Sequence, residues 1–417
     1  MDIDILCKVV DNYGDIGVAY RLARSLSELP EPPRLRLVVD DLASFAALCP
    51  AVDPFSHRQL VHGWEVFCWD GPGAAAASGA FRARRPRVVI ECFACGRPEW
   101  LEDILFDDSG EGCLIVDLEH LTAEGWAGDF HRMPSLTRSP LVRKAMFLPG
   151  FGPETGGLIL DGSFVRARER AASEDGRADL RRELLEKLEC DAAGAQTAAG
   201  ARPSAAAGSF WVAVFGYERD YSRVVADMAA FHGGTVGPLR KPLLALVAAG
   251  KSQECFLRAW ESALRPFPAF RLPFLAQETW DELLLACDFS IVRGEDSWSR
   301  AALSGRPFLW QAYPQENRQQ MVKVRAFLER LKPHFVAGAG AAAFPALEAL
   351  HLAFNDHDLD GAGEGGRESL LPVLEGQTSL LQGFRAFSDS VAGGVIRAAV
   401  PATGLAANLL TFLCDIV

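Results

Sequence analysis

The sequence predicts an α/β protein built from two Rossmann-like domains, and three observations support that prediction. Short apolar segments typical of buried strands alternate with helix-length segments along most of the 417 residues. The alternation occurs in two series, which are separated by a highly charged stretch and an Ala/Gly-rich stretch. The chain is also longer than one hydrophobic core usually organises. We therefore expect two full-sized domains.

The first series begins with the apolar segment IDILCKVV, the polar loop DNYGDIG and the helix-like segment VAYRLARSLSEL. It continues through the strand-like segments LRLVVD, WEVFCW, PRVVIECFA and CLIVDLEHLT. Short apolar strands separated by helix-length or turn-rich stretches are typical of a parallel, Rossmann-like sheet. The sequence therefore predicts an N-terminal Rossmann-like lobe over residues 1–155.

The second series runs through SFWVAVFGY, PLLALVAA, FRLPFLAQ, WDELLLACDFSIVRG and RPFLWQ. It predicts a second Rossmann-like lobe over residues 156–385. Within this lobe, residues 191–208 are small and of low complexity, so a flexible surface insertion is expected there. Residues 386–417 are helical by pattern and are expected to pack back across to the N-terminal lobe.

Composition excludes several classes of protein. The net charge of −12 and the pI near 5.3 offer no general basic field for nucleic acid or an anionic membrane. No apolar run approaches the roughly 18 residues of a membrane span, and acids stand where a signal peptide carries bases. We therefore expect a cytoplasmic protein that binds neither nucleic acid nor membrane.

Cysteine and histidine give no pattern of a metal or nucleophile site. The Cys92-x-x-Cys95 pair lacks the second Cys/His pair of a structural zinc site, which favours buried strand-end thiols. The eight histidines form no ligand-like cluster, and no G-x-S-x-G elbow is present. We expect no protein-bound metal and no cofactor.

The first loop with candidate chemistry follows the first strand. Asp11 and Asp15 place two carboxylates there, and the DNYGDIG loop also contains Asn12, Tyr13 and Gly14. Ligands of open α/β sheets bind at the carboxyl ends of strands, which gives this loop functional weight. The loop does not match G-x-G-x-x-G, so dinucleotide binding is disfavoured. Capping of the following helix by one of the acids is the structural alternative.

A second loop follows the strand CDFSIV. It contains Arg293, Gly294, Glu295, Asp296 and Ser297 at the start of a predicted helix. The free N–H groups of a helix N-terminus can hold a diphosphate, and a guanidinium beside them is a frequent arrangement. Helix capping by the acids and a surface ion pair for the arginine are the alternatives.

Aromatic and amide side chains lie at other strand ends of the second lobe. Phe215 and Tyr217 follow one strand, and Phe274 with Gln277 follows another. A nucleobase could stack on such rings while the amide reads its edge. Taken singly, each aromatic side chain has core packing as its alternative role.

At this point the sequence resembles a known family. CKVVDNYGDIGVAYRLARSL is similar to the N-terminal signature of the bacterial protein-arginine rhamnosyltransferases that modify elongation factor P, the EarP family. The same resemblance extends, in one order, through these motifs: VVIECFACGRPEW, LEHLTAEGW, FLPGFGPETGGLI, VAVFGY, LPFLAQ, SIVRGEDSWSRA and PFLWQAYPQENRQQMVKVRAFL.

The resemblance implies a GT-B fold, in which two Rossmann-like lobes face a central cleft. It also implies an inverting, metal-independent transfer of rhamnose from dTDP-β-L-rhamnose to one arginine of elongation factor P. The N-terminal lobe would bind the acceptor and the C-terminal lobe the nucleotide sugar. Rhamnosylation would activate the factor for rescue of ribosomes stalled at polyproline.

The resemblance also assigns residue roles. Asp11, Asp15 and Glu295 match the three acids essential to activity, with Asp15 as the general base. The substrate-binding residues that follow from the motifs are Asn12, Tyr13, Gly14, Phe215, Tyr217, Phe274, Gln277, Arg293, Gly294, Asp296 and Ser297. A GT-B enzyme acting on a small molecule or glycan, and a noncatalytic nucleotide-sugar sensor, are the two alternatives.

Overall fold

The computed structural model describes residues 1–10, 13–107, 112–191, 208–234, 242–335, 338–356, 369–392 and 404–416. The chain divides into two compact units, one formed by Met1–Gly162 with Val391–Val417 and the other by Ser163–Ser390. Asp11, Asn12 and residues 192–207 of the expected insertion lie outside the described residues.

Unit 1 is an eight-stranded α/β layer structure. Its strands are β1 (Asp2–Cys7), β2 (Arg34–Val39), β3 (Arg58–Val61), β4 (Trp64–Cys68), β5 (Val88–Cys92), β6 (Cys113–Leu118), β7 (Pro134–Ser135) and β8 (Val142–Phe147). Its helices are α1 (Gly14–Ser27), α2 (Leu42–Leu48), α3 (Gly73–Ala83), α4 (Glu99–Leu105), α5 (Trp126–Phe130) and α16 (Leu405–Ile416).

The sheet of unit 1 has the order β3-β4-β2-β1-β5-β6-β8-β7. Its six inner strands are parallel, as predicted, and the apolar strands β1, β2, β5 and β6 are buried on both faces. The two edge strands, β3 and β7, are antiparallel to their neighbours. The sequence expectation of a purely parallel sheet did not include them.

The C-terminal helix α16 is part of the core of unit 1. Leu405, Leu409 and Phe412 are buried in the apolar layer that also contains α1. The ring of Phe412 lies 5.7 Å from that of Phe147 at the end of β8. The Arg143 guanidinium of β8 donates to the Ile416 carbonyl at 2.8 Å, which fixes the last turn of the helix.

Unit 2 contains a five-stranded, fully parallel sheet. Its strands are β9 (Phe210–Val214), β10 (Leu243–Val247), β11 (Ala269–Arg271), β12 (Phe289–Arg293) and β13 (Phe308–Gln311). Its helices are α6 (Gly162–Ala171), α7 (Glu174–Asp191), α8 (Ser222–Gly233), α9 (Lys251–Ser262), α10 (Gln277–Ala286), α11 (Glu295–Ser304), α12 (Gln319–Leu331), α13 (Gly338–Asn355), α14 (Leu371–Glu375) and α15 (Gln377–Val391).

The strand order of unit 2 is β11-β10-β9-β12-β13. The outer edge of β13 is covered by side chains of α13 rather than by another strand. The Trp310 N–H donates to His351 Nε2 at 3.2 Å, and Asn355 bonds both the Trp310 carbonyl and the Ala312 N–H. These contacts satisfy backbone groups that an edge strand would otherwise leave unpaired.

Within the described ranges, no helix combines the length and the apolar composition needed to cross a membrane.

Candidate functional site

Unit 1 carries its candidate loop at the point where the strand order reverses. From β1 the chain builds β2 and β4 on one side and then crosses to β5, β6 and β8 on the other. The crevice at the carboxyl ends of two such strands, here β1 and β5, is where open α/β sheets bind ligands. Residues 8–10 follow Cys7, the last residue of β1, and lead from this switch point into the sequence segment DNYGDIG.

Asp15 is the acid of this loop that the structure describes. It lies in the first turn of α1, is 9% exposed, and accepts the Val10 N–H through Oδ2 at 2.8 Å. The N-cap residue of α1 is Tyr13, which makes no side-chain capping bond. Asp15 is therefore not the helix cap that was one alternative; its carboxylate folds the loop back towards the end of β1. Tyr13 and Gly14 are exposed at the start of the helix.

Three thiols lie at the carboxyl ends of β1 and β5. Cys7 and Cys92 are buried and Cys95 is half-buried, and all three are free cysteines. Burial raises the pKa of the Cys95 thiol to about 12. Burial also raises the pKa values of the Cys7 and Cys92 thiols well above the usual range, and the nearby Asp15 carboxylate makes a smaller contribution to these two shifts. These thiols therefore stay protonated at neutral pH, as expected for buried strand-end cysteines.

Unit 2 has its own switch point, between β9 and β12. From β9 the chain builds β10 and β11 on one side and then β12 and β13 on the other. Phe215 and Tyr217 follow the carboxyl end of β9, and Arg293 is the last residue of β12. The Phe215 N–H donates to the Ile291 carbonyl of β12 at 2.9 Å. Residues predicted from two distant sequence motifs are thus brought together.

Arg293 lies against the two aromatic rings that follow β9. The carbon of its guanidinium is 4.7 Å from the centroid of the Phe215 ring and 4.8 Å from that of Tyr217. Contacts of this kind hold the planar guanidinium in a defined orientation. Arg293 itself is half-buried.

The helix that follows β12 begins with a glycine conformation. Gly294 is the N-cap residue of α11, with φ 68° and ψ 170°, a backbone region open essentially only to glycine. Because Gly294 occupies the cap position, Glu295 and Asp296 lie in the first turn of the helix rather than capping it. The N–H groups of the first turn and the positive end of the α11 dipole are at the carboxyl end of β12.

The polar side chains of this first turn differ in their surroundings. Glu295 and Asp296 are half-buried, and an Asp296 carboxylate oxygen lies 3.9 Å from Nε of the buried Arg300. Ser297 is buried, and its Oγ accepts the indole N–H of Trp280 at 3.1 Å. Ser297 is thereby connected to α10, the helix before β12.

Phe274 and Gln277 lie in the connection between β11 and α10. Phe274 is 45% exposed, whereas Gln277 is buried as the first residue of α10. One turn later, Trp280 packs edge-on against Phe215, with ring centroids 5.3 Å apart. Trp280 thus connects the start of α10 both to the β9 loop and to Ser297.

Sequence reasoning missed two aromatic residues of this region. Trp280 reads as a core residue on an amphipathic helix, and it is in fact buried. Tyr313 follows the carboxyl end of β13, is 52% exposed, and packs edge-on against Tyr217 at 5.3 Å. The position of Tyr313 just after an apolar strand was the available signal. We refer to six residues together as the β9/β12 cluster: Phe215, Tyr217, Trp280, Arg293, Ser297 and Tyr313.

Within the residues described here, no three His, Cys, Asp or Glu side chains are close enough together to hold a metal ion.

Comparison with known proteins identifies the family. The family model for the Elongation-Factor P (EF-P) rhamnosyltransferase EarP matches residues 3–412. A protein-arginine rhamnosyltransferase of Pseudomonas aeruginosa is 36% identical over 372 residues, which are 87% of this chain and 89% of the relative. The chain belongs to the EarP family. The family resemblance of the sequence motifs is thereby confirmed.

Other members of the EarP family agree with this assignment. The protein-arginine rhamnosyltransferases of Pseudomonas putida and Shewanella oneidensis are 34% and 32% identical, and the matches cover 88% and 78% of this chain and 90% and 79% of the relatives. A solved structure described as the structural basis for EarP-mediated arginine glycosylation of EF-P matches with a TM-score of 0.55 and 23% identity, over 100% of both chains. The predicted fold class, α/β with two Rossmann-like units of the GT-B type, is confirmed.

Proposed function

We propose that this protein transfers L-rhamnose from dTDP-β-L-rhamnose to an arginine side chain of elongation factor P, with inversion at the sugar and without a metal ion. Membership of the EarP family over residues 3–412 is the observation that carries the proposal. The names of the relatives specify rhamnose and a protein arginine. The reaction would take place in the cytoplasm, and the modified factor would then rescue ribosomes that are stalled at polyproline.

The nucleotide sugar is assigned to unit 2. Phe215, Tyr217 and Phe274 offer rings for the thymine and the sugar, and Gln277 offers an amide for the edge of the base. The diphosphate would lie at the N-terminus of α11, where Arg293 contributes a fixed positive charge. Gly294, Asp296 and Ser297 complete this assignment, because they form the first turn that the diphosphate would approach.

The arginine chemistry is assigned to the three acids. A guanidinium is a poor nucleophile because its pKa lies far above neutral pH, which keeps it protonated, and because its lone pairs are delocalised. Carboxylates bonded to it would localise that electron density and accept the proton as the N–C bond forms. We assign Asp15 as the general base, with Asp11 and Glu295 as the further acids. Asn12, Tyr13 and Gly14 are assigned to acceptor binding in the same loop.

Inversion requires in-line attack on the anomeric carbon, opposite to the departing dTDP, through an oxocarbenium-like state. One bond forms between an arginine nitrogen and the anomeric carbon, the bond from that carbon to the diphosphate oxygen breaks, and one proton passes to the base. The leaving dTDP carries away the bonding electron pair. Its charge would be stabilised by Arg293 and the backbone N–H groups of α11, which requires no metal.

The test is an incubation of the protein with purified elongation factor P and dTDP-β-L-rhamnose, followed by peptide mass spectrometry. We expect one added deoxyhexose on one arginine. Replacement of that arginine by lysine in the acceptor is the control and should abolish the product. Transfer only to a glycan or a small molecule, or binding of the nucleotide sugar without any transfer, would support the two alternatives instead.

A further inference from the structure

The loop that carries Phe215 and Tyr217 is held by three buried side chains, which come from β13, from α9 and from the N-cap position of α8. Gln311 of β13 accepts the Tyr217 N–H through Oε1 at 2.8 Å. Ser252 of α9 accepts the Gly216 N–H through Oγ at 2.9 Å. The two acceptor side chains are 0% exposed.

The third side chain is Tyr221, which precedes α8. Its hydroxyl donates to the Tyr217 carbonyl at 2.9 Å, and burial raises the pKa of this phenol so that it remains a donor at neutral pH. Both backbone groups of Tyr217 are thus bonded to buried side chains. A β-carbon at Gly216 would lie 2.2 Å from the Tyr221 hydroxyl and 2.7 Å from Gln311 Oε1, so only glycine fits between them.

Gln311 also occupies a defined place beside Arg293. The two residues are register partners in the parallel pair β12–β13, so their side chains leave the same face of the sheet at its carboxyl edge. Gln311 therefore connects the β9 loop to the strand next to Arg293. The next residues after Gln311 lead to Tyr313, which packs on Tyr217.

The strand that presents Gln311 is itself fixed by α13. Asn355 Oδ1 accepts the Ala312 N–H at 2.8 Å, and His351 Nε2 accepts the Trp310 N–H at 3.2 Å. The backbone on both sides of Gln311 is thereby bonded to one helix. A rigid support of this kind keeps a binding site in its productive geometry before the ligand arrives.

We propose that Gln311 and Ser252 are positioning residues for nucleotide-sugar binding: they hold the Phe215–Tyr217 loop in the conformation that places its two rings against Arg293. The inference rests on the assignment of the nucleotide sugar to unit 2. It predicts that loss of either hydrogen bond weakens nucleotide binding more than it weakens the fold.

The test compares three variants with a matched control. Ser252→Ala and Gln311→Met each leave one N–H of the loop unpaired, and Met nearly preserves the volume of Gln. Gln311→Glu keeps the accepting oxygen. The Nε2 atom of Gln311, which this substitution removes, has no hydrogen-bond partner among the described residues, so no described bond is lost. Burial favours the neutral form of the new carboxyl group. Ser388→Ala is the control, since Ser388 is also 0% exposed in unit 2 but donates to the Leu303 carbonyl, at 2.7 Å.

The measurements are the Kd of dTDP by calorimetry, the KM for the nucleotide sugar, kcat, and the Tm. We expect Ser252→Ala and Gln311→Met to raise the Kd and the KM about tenfold, with kcat at saturating donor changed less than about threefold. Gln311→Glu should stay within about threefold of wild type. Ser388→Ala should lower the Tm about as much as Ser252→Ala and Gln311→Met do, and it should leave the Kd of dTDP unchanged.

The inference is overturned if Ser252→Ala and Gln311→Met lower the Tm as the control does but leave the Kd unchanged, or if Ser388→Ala raises the Kd equally. Should Gln311→Met fail to fold, Ser252→Ala decides alone. A wild-type protein that binds uridine diphosphate instead of dTDP would overturn the proposed donor, and the variants would then be compared with that nucleotide. A wild-type protein that binds neither overturns both proposals.

Discussion

Replacement of Asp15 by asparagine separates the chemistry of this side chain from its structural role. The Asp15 carboxylate accepts the Val10 N–H at 2.8 Å, and the amide oxygen of asparagine can accept the same bond. The amide cannot take up a proton from an attacking guanidinium. The loop should therefore keep its conformation while the proposed general base is lost.

The two consequences differ in size. A hydrogen bond to a charged acceptor contributes about 1 kcal/mol more than a neutral one, so Asp15→Asn should destabilise unit 1 by about that amount. For a domain of this size, such a loss lowers the Tm by about 2–4 °C. Loss of a general base typically lowers turnover about 10²–10⁴-fold, which is roughly 3–5 kcal/mol in the barrier. The effect on catalysis should clearly exceed the effect on stability.

Asp40 provides a matched control for this experiment. Its carboxylate accepts the N–H of Val9, the residue next to Val10, also at 2.8 Å. Asp40→Asn therefore makes the same chemical change to the same connection between β1 and α1. We expect normal transfer of labelled rhamnose for Asp40→Asn, near-complete loss for Asp15→Asn, and unchanged dTDP affinity for both. Turnover of Asp15→Asn within threefold of wild type, or equal losses in the two variants, would refute the assignment of Asp15 as base.

Three further predictions follow from unit 2. Arg293→Met removes two cation–π contacts and the charge, so the Kd of dTDP by calorimetry should rise at least about tenfold, and Arg293→Lys should lie between Met and wild type; equal affinities would contradict the stacked geometry. Phe274→Ala should weaken dTDP binding by roughly 1–3 kcal/mol through lost stacking, and unchanged calorimetric affinity would count against that role. Burial lowers the pKa of His351 to about 4 from 6.5, so the unfolded state takes up its proton first as the pH falls. The contribution of His351 to the free energy of unfolding is therefore fully present above pH 6.5 and is lost as the pH falls from 6.5 to 4. The expected loss is about 3 kcal/mol, measured by urea unfolding at each pH. His351→Gln should lack this loss, and identical pH profiles of the two proteins would exclude His351 as its source.

The sequence was sufficient for the two sheets and for most strand-end loops. Strand-like segments separated by helices predict parallel sheets, and ligands bind at the carboxyl ends of such strands. This rule identifies the loops after β1, β9 and β12 as candidate binding sites without any knowledge of contacts between them. The sequence pattern does not predict the short antiparallel edge strands, because a two-residue strand such as Pro134–Ser135 is too short to show a periodicity.

Contacts between residues distant in sequence could not be predicted. Gln311 ends the apolar run FLWQ and bonds to Tyr217, 94 residues earlier. The charged stretch after residue 162 forms two helices, α6 and α7. Arg181 of α7 is buried and pairs with Asp288, 107 residues later, at 2.7 Å. A charged pattern alone does not distinguish such a buried pair from a solvated surface.

The two switch points differ in the sign of the charge that their loops present, and this difference favours the proposed division of substrates. In unit 1 the loop after β1 offers Asp15, with Asp11 in the same sequence segment, which suits a cationic guanidinium. In unit 2 the switch point offers Arg293 and the N-terminus of α11, which suit an anionic diphosphate. Glu295 and Asp296 are exceptions, since they place two acids in the first turn of α11. A helix N-terminus favours negative charge, so acidic side chains suit that position, and Glu295 offers an acceptor for a cation beside the proposed diphosphate site. A nucleotide-sugar enzyme with a neutral hydroxyl acceptor would not need such an acid, so the presence of Glu295 favours an arginine acceptor over a glycan.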